Sequence, residues 1–365
     1  MTQHVIVVGA GVLGAATACQ LQTNGAQVTV IHDGRARATG ASFGWINASF
    51  YLDHAHFRLR VEGLAAWQRW MQELDLPIRQ CGCLCWDRQG AELRQQAEEL
   101  SELGYAVEVL DQAQFCKREP AVANPPEEAL YLPQEAAAEA GALADTMLQA
   151  AVARGAKVLS GLRVDGFIRE LGSVKGIYTR QGAMRADHVL VAAGTGTDTL
   201  MERAGVAVPL VERPALVLKT RAVPPLISHV LVSEIGEVKQ CADGSLMLPV
   251  VVGHQGDASE NVHLTPDRAG EAALARLQSM FLDQELTQAS VQLAYRPMPE
   301  DGLPCVGKAL PGLYVAVMHS GITLAAVMAE LIAEEMINGV SNRTGDWLAP
   351  YRPQRFEAAR KVVQV

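Results

Sequence analysis

The chain has few features that would commit it to a membrane, a nucleic acid or a disulfide framework. No apolar stretch in its 365 residues approaches the roughly 18–20 needed to span a bilayer. No basic run stands out, and 31 Lys and Arg against 40 Asp and Glu leave a net charge of −9. That balance argues against nucleic acid as a main partner and mainly favours solubility. The first apolar segment begins after four residues, without a basic flank, and Gly9, Gly11 and Gly14 interrupt it. A signal peptide is therefore not expected, and the cytoplasm is the expected location. Seven cysteines, an odd number without conventional spacing, exclude a disulfide scaffold and suit a reducing compartment. Cys81, Cys83 and Cys85 alternate, so they share one face of a strand. No Cys/His pair accompanies them in sequence, so a buried strand is expected and no metal site.

What is present is an ordinary globular composition, 49% apolar and 19% charged, in a chain long enough for two joined domains. Residues 4–9 (HVIVVG) and 27–32 (QVTVIH) are short β-branched runs, and the Ala- and Leu-rich stretch 12–23 between them predicts a helix stopped at Asn24-Gly25. Together they form a βαβ unit. Helices are expected near 55–75, 91–103, 141–154 and 322–337, and strands at 156–159, 188–194 and 312–317, with a hairpin through 171–180. Residues 213–295 read instead as short β-rich runs with turn signals such as Asp243-Gly244. The expected fold is α/β: a Rossmann-like dinucleotide-binding domain (1–80, 141–212 and 296–365) interleaved with an antiparallel β-sheet domain (81–140 and 213–295) that receives substrate.

The strongest motif is Gly9-Ala10-Gly11-Val12-Leu13-Gly14, placed between a strand and a helix. Gly9 permits the tight turn, Gly11 lets the backbone approach a pyrophosphate, and Gly14 lets the helix pack on the strand. The helix N-terminus then offers N–H groups and positive dipole to phosphates. An acid near the end of the second strand should hold the ribose. Asp33 lies there, although His32 occupies the strict position; either Asp33 reaches the ribose from one residue further on, or backbone groups hold it. The other reading of Asp33 is a turn residue.

The motif does not choose between FAD and NAD. The GAGVLG unit, ASFGWINASF, VLVAAGTGTDTL and RPMPEDGLPCVG…GLYVAVMHSGITLA occur in this order. Together they resemble the FAD-dependent D-amino-acid oxidase superfamily, which includes glycine oxidase, sarcosine oxidase and D-amino-acid dehydrogenase. The resemblance runs from residue 4 to about 340 and is vaguest in the middle. It implies FAD held by Gly9, Gly11, Val12, Leu13 and Gly14 at the pyrophosphate, with Ala41 and Ser42 also touching the phosphates. It places Phe43, Gly44, Trp45 and Asn47 along the flavin, Val164 at the adenine, and Ala193 and Gly194 at the sheet edge. His319, Ser320, Gly321 and Ile322 would lie beside the isoalloxazine, with the following helix aiming its positive end at the ring. Sarcosine oxidase carries a flavin-linked cysteine near the position of Arg296; this chain has none there and Cys305 is displaced by several residues, so non-covalent FAD is expected.

The resemblance also makes Arg296, in Tyr295-Arg296-Pro297, the anchor for a substrate carboxylate, a role suited to a guanidinium fork. The alternative is a salt bridge to Glu300 or Asp301. His254, after LPVVVG, stands where relatives face the substrate, and is equally readable as a loop histidine. Trp45, Tyr51 and His54 are further pocket candidates. The implied reaction is hydride transfer from an amine or amino acid (glycine, a D-amino acid or an N-substituted amino acid) to the flavin. The resulting imine hydrolyses to an oxo acid or aldehyde. The alternatives are a dehydrogenase subunit passing electrons to another acceptor, as opine or D-amino-acid dehydrogenases do, and a non-catalytic FAD-binding subunit of a complex. A homo-oligomer or a dehydrogenase complex is the expected assembly.

Overall fold

The structure, a computed structural model, describes residues 2–35, 38–251, 265–281 and 284–357. The βαβ unit forms as read: strand His4–Val8, helix Val12–Thr23 capped by Asn24, and strand Gln27–His32. These strands sit centrally in a six-stranded sheet ordered Cys305–Leu310, Leu313–Val317, His188–Val191, His4–Val8, Gln27–His32, Lys157–Ser160. All neighbours are parallel except the first pair. Alternation along His4–Val8 sends Val5 and Val7 to one core and Ile6 and Val8 to another. Both faces of the sheet are thus covered, which explains why its strands read as nearly continuous apolar runs. The first core holds the helices Val12–Thr23, Ala140–Ala153 and Gly321–Asn338. The second holds a three-stranded antiparallel sheet (Val164–Glu170, Ser173–Thr179, Gly182–Arg185) and the short helix Thr197–Glu202.

An eight-stranded sheet stands apart from this one. Its order is Gln288–Pro299, Leu210–Thr220, Leu246–Pro249, Gly236–Gln240, Val230–Ser233, Cys83–Cys85, Glu128–Leu132, Glu108–Asp111. Only Val230–Ser233 and Cys83–Cys85 run parallel. The fold is therefore mixed α/β, a Rossmann-like parallel sheet with helices plus a separate, mainly antiparallel sheet. A small third sheet of Trp45–Ile46, Ala136–Ala138 and Ile78–Arg79 completes it.

Two features differ from the sequence reading. Helix Pro266–Gln278 lies in the stretch read as β. Its buried positions Ala269, Gly270, Ala273 and Leu277 form a narrow stripe at helical spacing, only one of them a large apolar residue. Strand Gln288–Pro299 runs unbroken through Arg296, so the eight-stranded sheet carries that residue. Cys83 and Cys85 are buried at the centre of this sheet, and burial pushes both thiols well up. Among the described residues no group of three or more His, Cys, Asp or Glu is arranged to hold a metal, and no helix is long and apolar enough to cross a membrane.

Candidate active site

The carboxyl ends of the parallel strands face the eight-stranded sheet across a cavity of about 690 Å³. Ligands in open α/β sheets bind at this edge, and the volume falls within the usual range of about 300–1,000 Å³ for ligand sites. Every described cofactor residue read from the sequence lines it except Gly14, and so does Arg296. His254 lies outside the described residues.

The three motif glycines do different work. Gly9 has φ +114°, and a Cβ there would stand 2.2 Å from the Ala192 carbonyl oxygen. A Cβ on Gly14 would stand 2.1 Å from the Gly9 oxygen, so Gly14 packs the helix onto the turn instead of facing the cavity. Gly11 has an ordinary backbone, φ −68°, and its Cβ would meet only the Thr39 hydroxyl, at 3.3 Å. The space beside Gly11 therefore opens into the cavity. The helix it begins has no side chain at its N-cap, Gly11, and no acid in its first turn; apart from the Val12 N–H, which Thr39 takes, its positive end is left for an anion. Thr39, whose hydroxyl accepts from Val12 N at 3.2 Å, was not singled out from the sequence.

His32 and Asp33 both line the cavity. The His32 ring is engaged by Ser160 Oγ at 2.9 Å, on the neighbouring strand. Asp33 accepts from Arg35 N at 3.1 Å and pairs with the exposed Arg35 guanidinium at 3.3 Å. Val164, Ala193 and Gly194 follow around the same rim. On the far side Ser42 Oγ accepts from Gly44 N at 3.2 Å. Gly44 has φ +78°, and a Cβ there would collide with the Ala138 carbonyl at 2.2 Å.

The segment Trp45–Ser49 is clamped from two sides by buried charges that the sequence did not single out. Glu135, wholly buried, accepts from Trp45 Nε1 at 2.9 Å, Ser49 N at 3.2 Å, Ala48 N at 3.3 Å and Tyr105 Oη at 3.1 Å. Burial raises its carboxyl above the ordinary range against the pull of these donors. Arg60, also wholly buried, donates from Nε to the Asn47 carbonyl at 3.1 Å, from its second guanidinium nitrogen to Asn47 Oδ1, and from the first to Ser320 Oγ at 2.8 Å. Burial lowers the Arg60 guanidinium to about 10, and Glu135 opposes that fall. The available signal for Arg60 was its place on the buried face of helix His54–Met71, with His56, Phe57, Leu64 and Trp67.

Ser320 holds a left-handed conformation, φ 57°, unusual for a residue with a side chain, and opens helix Gly321–Asn338 into the cavity. Thr323 ties that helix to the clamped segment: its hydroxyl donates to the Trp45 carbonyl and accepts from Asn47 N, each at 3.3 Å. His319 lines the same wall, and its pKa is lowered to about 3 by burial and then by Arg296, Arg60 and His56. It is neutral at physiological pH, an uncharged hydrogen-bonding group on a wall that also carries Arg296 and Arg60. Arg296 donates to the Pro214 carbonyl at 3.4 Å. Asp301, one of its two alternative partners, is instead taken by Arg355, at 2.6 and 3.0 Å. Cys305 is fully buried, away from the cavity lining, and burial pushes its thiol up to about 12. Tyr51 packs edge-on against Phe57 at 5.1 Å and His54 begins the 54–71 helix; neither lines the cavity, whereas Trp45 does.

A family profile described as FAD dependent oxidoreductase matches residues 4–335. The chain belongs to this family. That family is one of FAD-dependent oxidoreductases acting on CH–NH and CH–NH2 groups. Among curated proteins it is similar to the bifunctional protein ThiO/ThiG of Nostoc sp., 27% identical over 94% of this chain, although the chain spans only 54% of that protein's length. It is also similar to glycine oxidase of Pseudomonas aeruginosa, 25% identical over 92% of this chain and 95% of the other. Among solved structures it shares its fold with an L-proline dehydrogenase from P. horikoshii, at a TM-score of 0.84, 20% identity and 98% coverage of both chains. The cavity fits the family's cofactor on its own geometry: an uncrowded glycine at an open helix N-terminus on one side, and a second open helix N-terminus at Ser320–Ile322 on the other.

Proposed function

We propose that this FAD-dependent oxidoreductase oxidises the C–N bond of a small amino acid or N-substituted amino acid whose carboxylate is held by Arg296. The observation that carries this reading is that Arg296, on the eight-stranded sheet, enters the same cavity as the Gly9–Leu13 turn and the His319–Ile322 segment. A guanidinium there meets a carboxylate through two parallel hydrogen bonds and fixes the α-carbon. His319, neutral, and Arg60 line the same wall and add polar and positive character to it.

In this reading Gly9, Gly11, Val12 and Leu13 hold the FAD pyrophosphate with Ala41 and Ser42, Asp33 takes the ribose, and Val164, Ala193 and Gly194 border the adenine half. Phe43, Gly44, Trp45, Asn47 and His319–Ile322 flank the flavin, bound non-covalently. The part built on the parallel sheet binds FAD, and the eight-stranded sheet, Arg296 included, receives substrate. When bound, FAD supplies the two-electron acceptor for a hydride from the substrate carbon. The protein binds and orients the amine; the imine released from the site hydrolyses in water. The similarity to glycine oxidase supports an acidic amine as substrate.

Arg296→Ala tests the carboxylate anchor. Truncating a buried charge-pair partner costs about 2–5 kcal/mol, so KM for an acidic amine should rise by roughly 30-fold or more while FAD content stays unchanged. An unchanged KM overturns the reading. Flavin that stays with acid-precipitated protein overturns non-covalent binding. The names of the similar proteins include both oxidases and dehydrogenases, and hydrogen peroxide formed in step with turnover separates them.

A further inference from the structure

His319 borders the cavity, and a hydrogen-bond chain behind it decides which of its ring nitrogens carries the proton. The chain starts at Arg60, which is wholly buried and can only donate. Its guanidinium donates to Ser320 Oγ at 2.8 Å. The Ser320 hydroxyl hydrogen must then find an acceptor, and the one within reach among the described residues is His319 Nδ1, at 3.3 Å. With Nδ1 accepting, the ring proton sits on Nε2. The reverse arrangement, Nδ1–H donating to Oγ, would leave the hydroxyl hydrogen without a partner. Ser320 reaches both neighbours from a left-handed backbone, φ 57°, which costs a residue with a side chain about 1–3 kcal/mol. The hydroxyl does there what a glycine could not. Nε2, across the ring from Ser320, has no hydrogen-bond partner among the described residues, and the ring lines the cavity. After burial, Arg296 is the strongest influence on this ring, ahead of Arg60.

We propose that His319 is a second donor for the substrate carboxylate: its Nε2–H, held in that tautomer by Arg60 through Ser320, binds a carboxylate oxygen beside Arg296. A neutral donor suits this wall, because a protonated ring would stand against both guanidinium groups. The nitrogen that faces the cavity already carries the proton, so His319 binds the acid and does not act as the base that frees the amine. Arg60 and Ser320 act through it as positioning residues. This inference rests on the carboxylate role of Arg296.

The test uses the FAD-loaded full chain and propionate, a carboxylate without an amine, whose binding is read from the shift of the flavin spectrum. His319→Gln carries an amide N–H near the place of Nε2 and no basic nitrogen. It should bind propionate within about threefold of wild type, whereas His319→Leu should bind it about tenfold or more weakly, as expected for a lost hydrogen bond to a charged group. In ring-labelled protein, 15N NMR should show His319 protonated on Nε2 and bare on Nδ1, its signals assigned by their loss in His319→Gln. In Ser320→Gly, which accepts the left-handed backbone but lacks the hydroxyl, both tautomers should appear. A proton on Nδ1 in the wild type, equal loss of propionate in His319→Gln and His319→Leu, or no loss in either overturns the inference. An unchanged spectrum in Ser320→Gly overturns the positioning role. In each case Arg296→Ala tells whether the carboxylate reading stands: loss of propionate there upholds it, and unchanged binding overturns it. Wild-type protein that binds no propionate overturns both.

Discussion

At the scale of single residues, the contrast between Gly11 and its two neighbours in the motif gives a clean separation of folding from binding. Gly9 and Gly14 are pressed against backbone carbonyls, and Gly9 also needs a positive φ. Gly11 has an ordinary φ and one soft neighbour, the Thr39 hydroxyl. Gly11→Ala should therefore fold with a stability change under about 1 kcal/mol and lose FAD affinity more than tenfold. Gly9→Ala should lose about 3 kcal/mol, from overpacking and an unfavourable backbone conformation combined. Urea unfolding of the FAD-free proteins and FAD titration by fluorescence measure the two effects; equal stability losses would contradict the geometric argument. These glycines were legible in the sequence because their roles depend on neighbours a few residues away. Glu135 was not: it gathers donors from Trp45, 90 residues away, and from Tyr105, 30 away, and nothing in local spacing marks a lone acid as buried.

At the scale of elements, the segment Trp45–Ser49 is a short strand and loop that cannot hold its own shape. Glu135 gathers its donors from one side, and Arg60 and Thr323 fasten it from the other to helices His54–Met71 and Gly321–Asn338. Glu135→Gln places an amide group among donors and removes the negative charge that supports buried Arg60. Breaking one side of a buried charge arrangement costs about 3–5 kcal/mol. The expected outcome is a loss of about 3 kcal/mol with weakened FAD binding, because the segment borders the cavity; denaturant unfolding and FAD retention on gel filtration check it. Unchanged stability would mean that Glu135 is protonated and contributes no charge. Element reading from sequence succeeded where a long apolar stretch rich in good helix formers was bounded by turn residues, as in Val12–Thr23 and Gly321–Asn338. It failed for Pro266–Gln278, whose buried stripe is only Ala269, Gly270, Ala273 and Leu277, inside a stretch whose neighbouring runs are β-rich.

At the scale of the whole molecule, the chain crosses repeatedly between its two large sheets. Cys83–Cys85, Glu108–Asp111 and Glu128–Leu132 leave the parallel-sheet part and return before Lys157–Ser160; Leu210–Thr220 to Gln288–Pro299 leave again and return at Cys305–Leu310. Neither sheet is built from one continuous piece, so neither can complete itself while the other is unfolded. The cavity wall is likewise divided between them, with Gly11 and His319 on one side and Val217, Glu237 and Arg296 on the other. A ligand that binds only the folded cavity must therefore stabilise strands that it does not touch. FAD at 100 times its Kd contributes about 2.7 kcal/mol to any opening that empties the site. Amide hydrogen exchange in strand Glu128–Leu132, part of the eight-stranded sheet with no residue on the cavity wall, should accordingly slow by about 100-fold where exchange requires that opening. Gly11→Ala should abolish the slowing at the same FAD concentration. If FAD slowed exchange only around Gly9–Thr23 and Gln27–His32, the two sheets would be opening independently, and the interleaved chain would not be one cooperative unit.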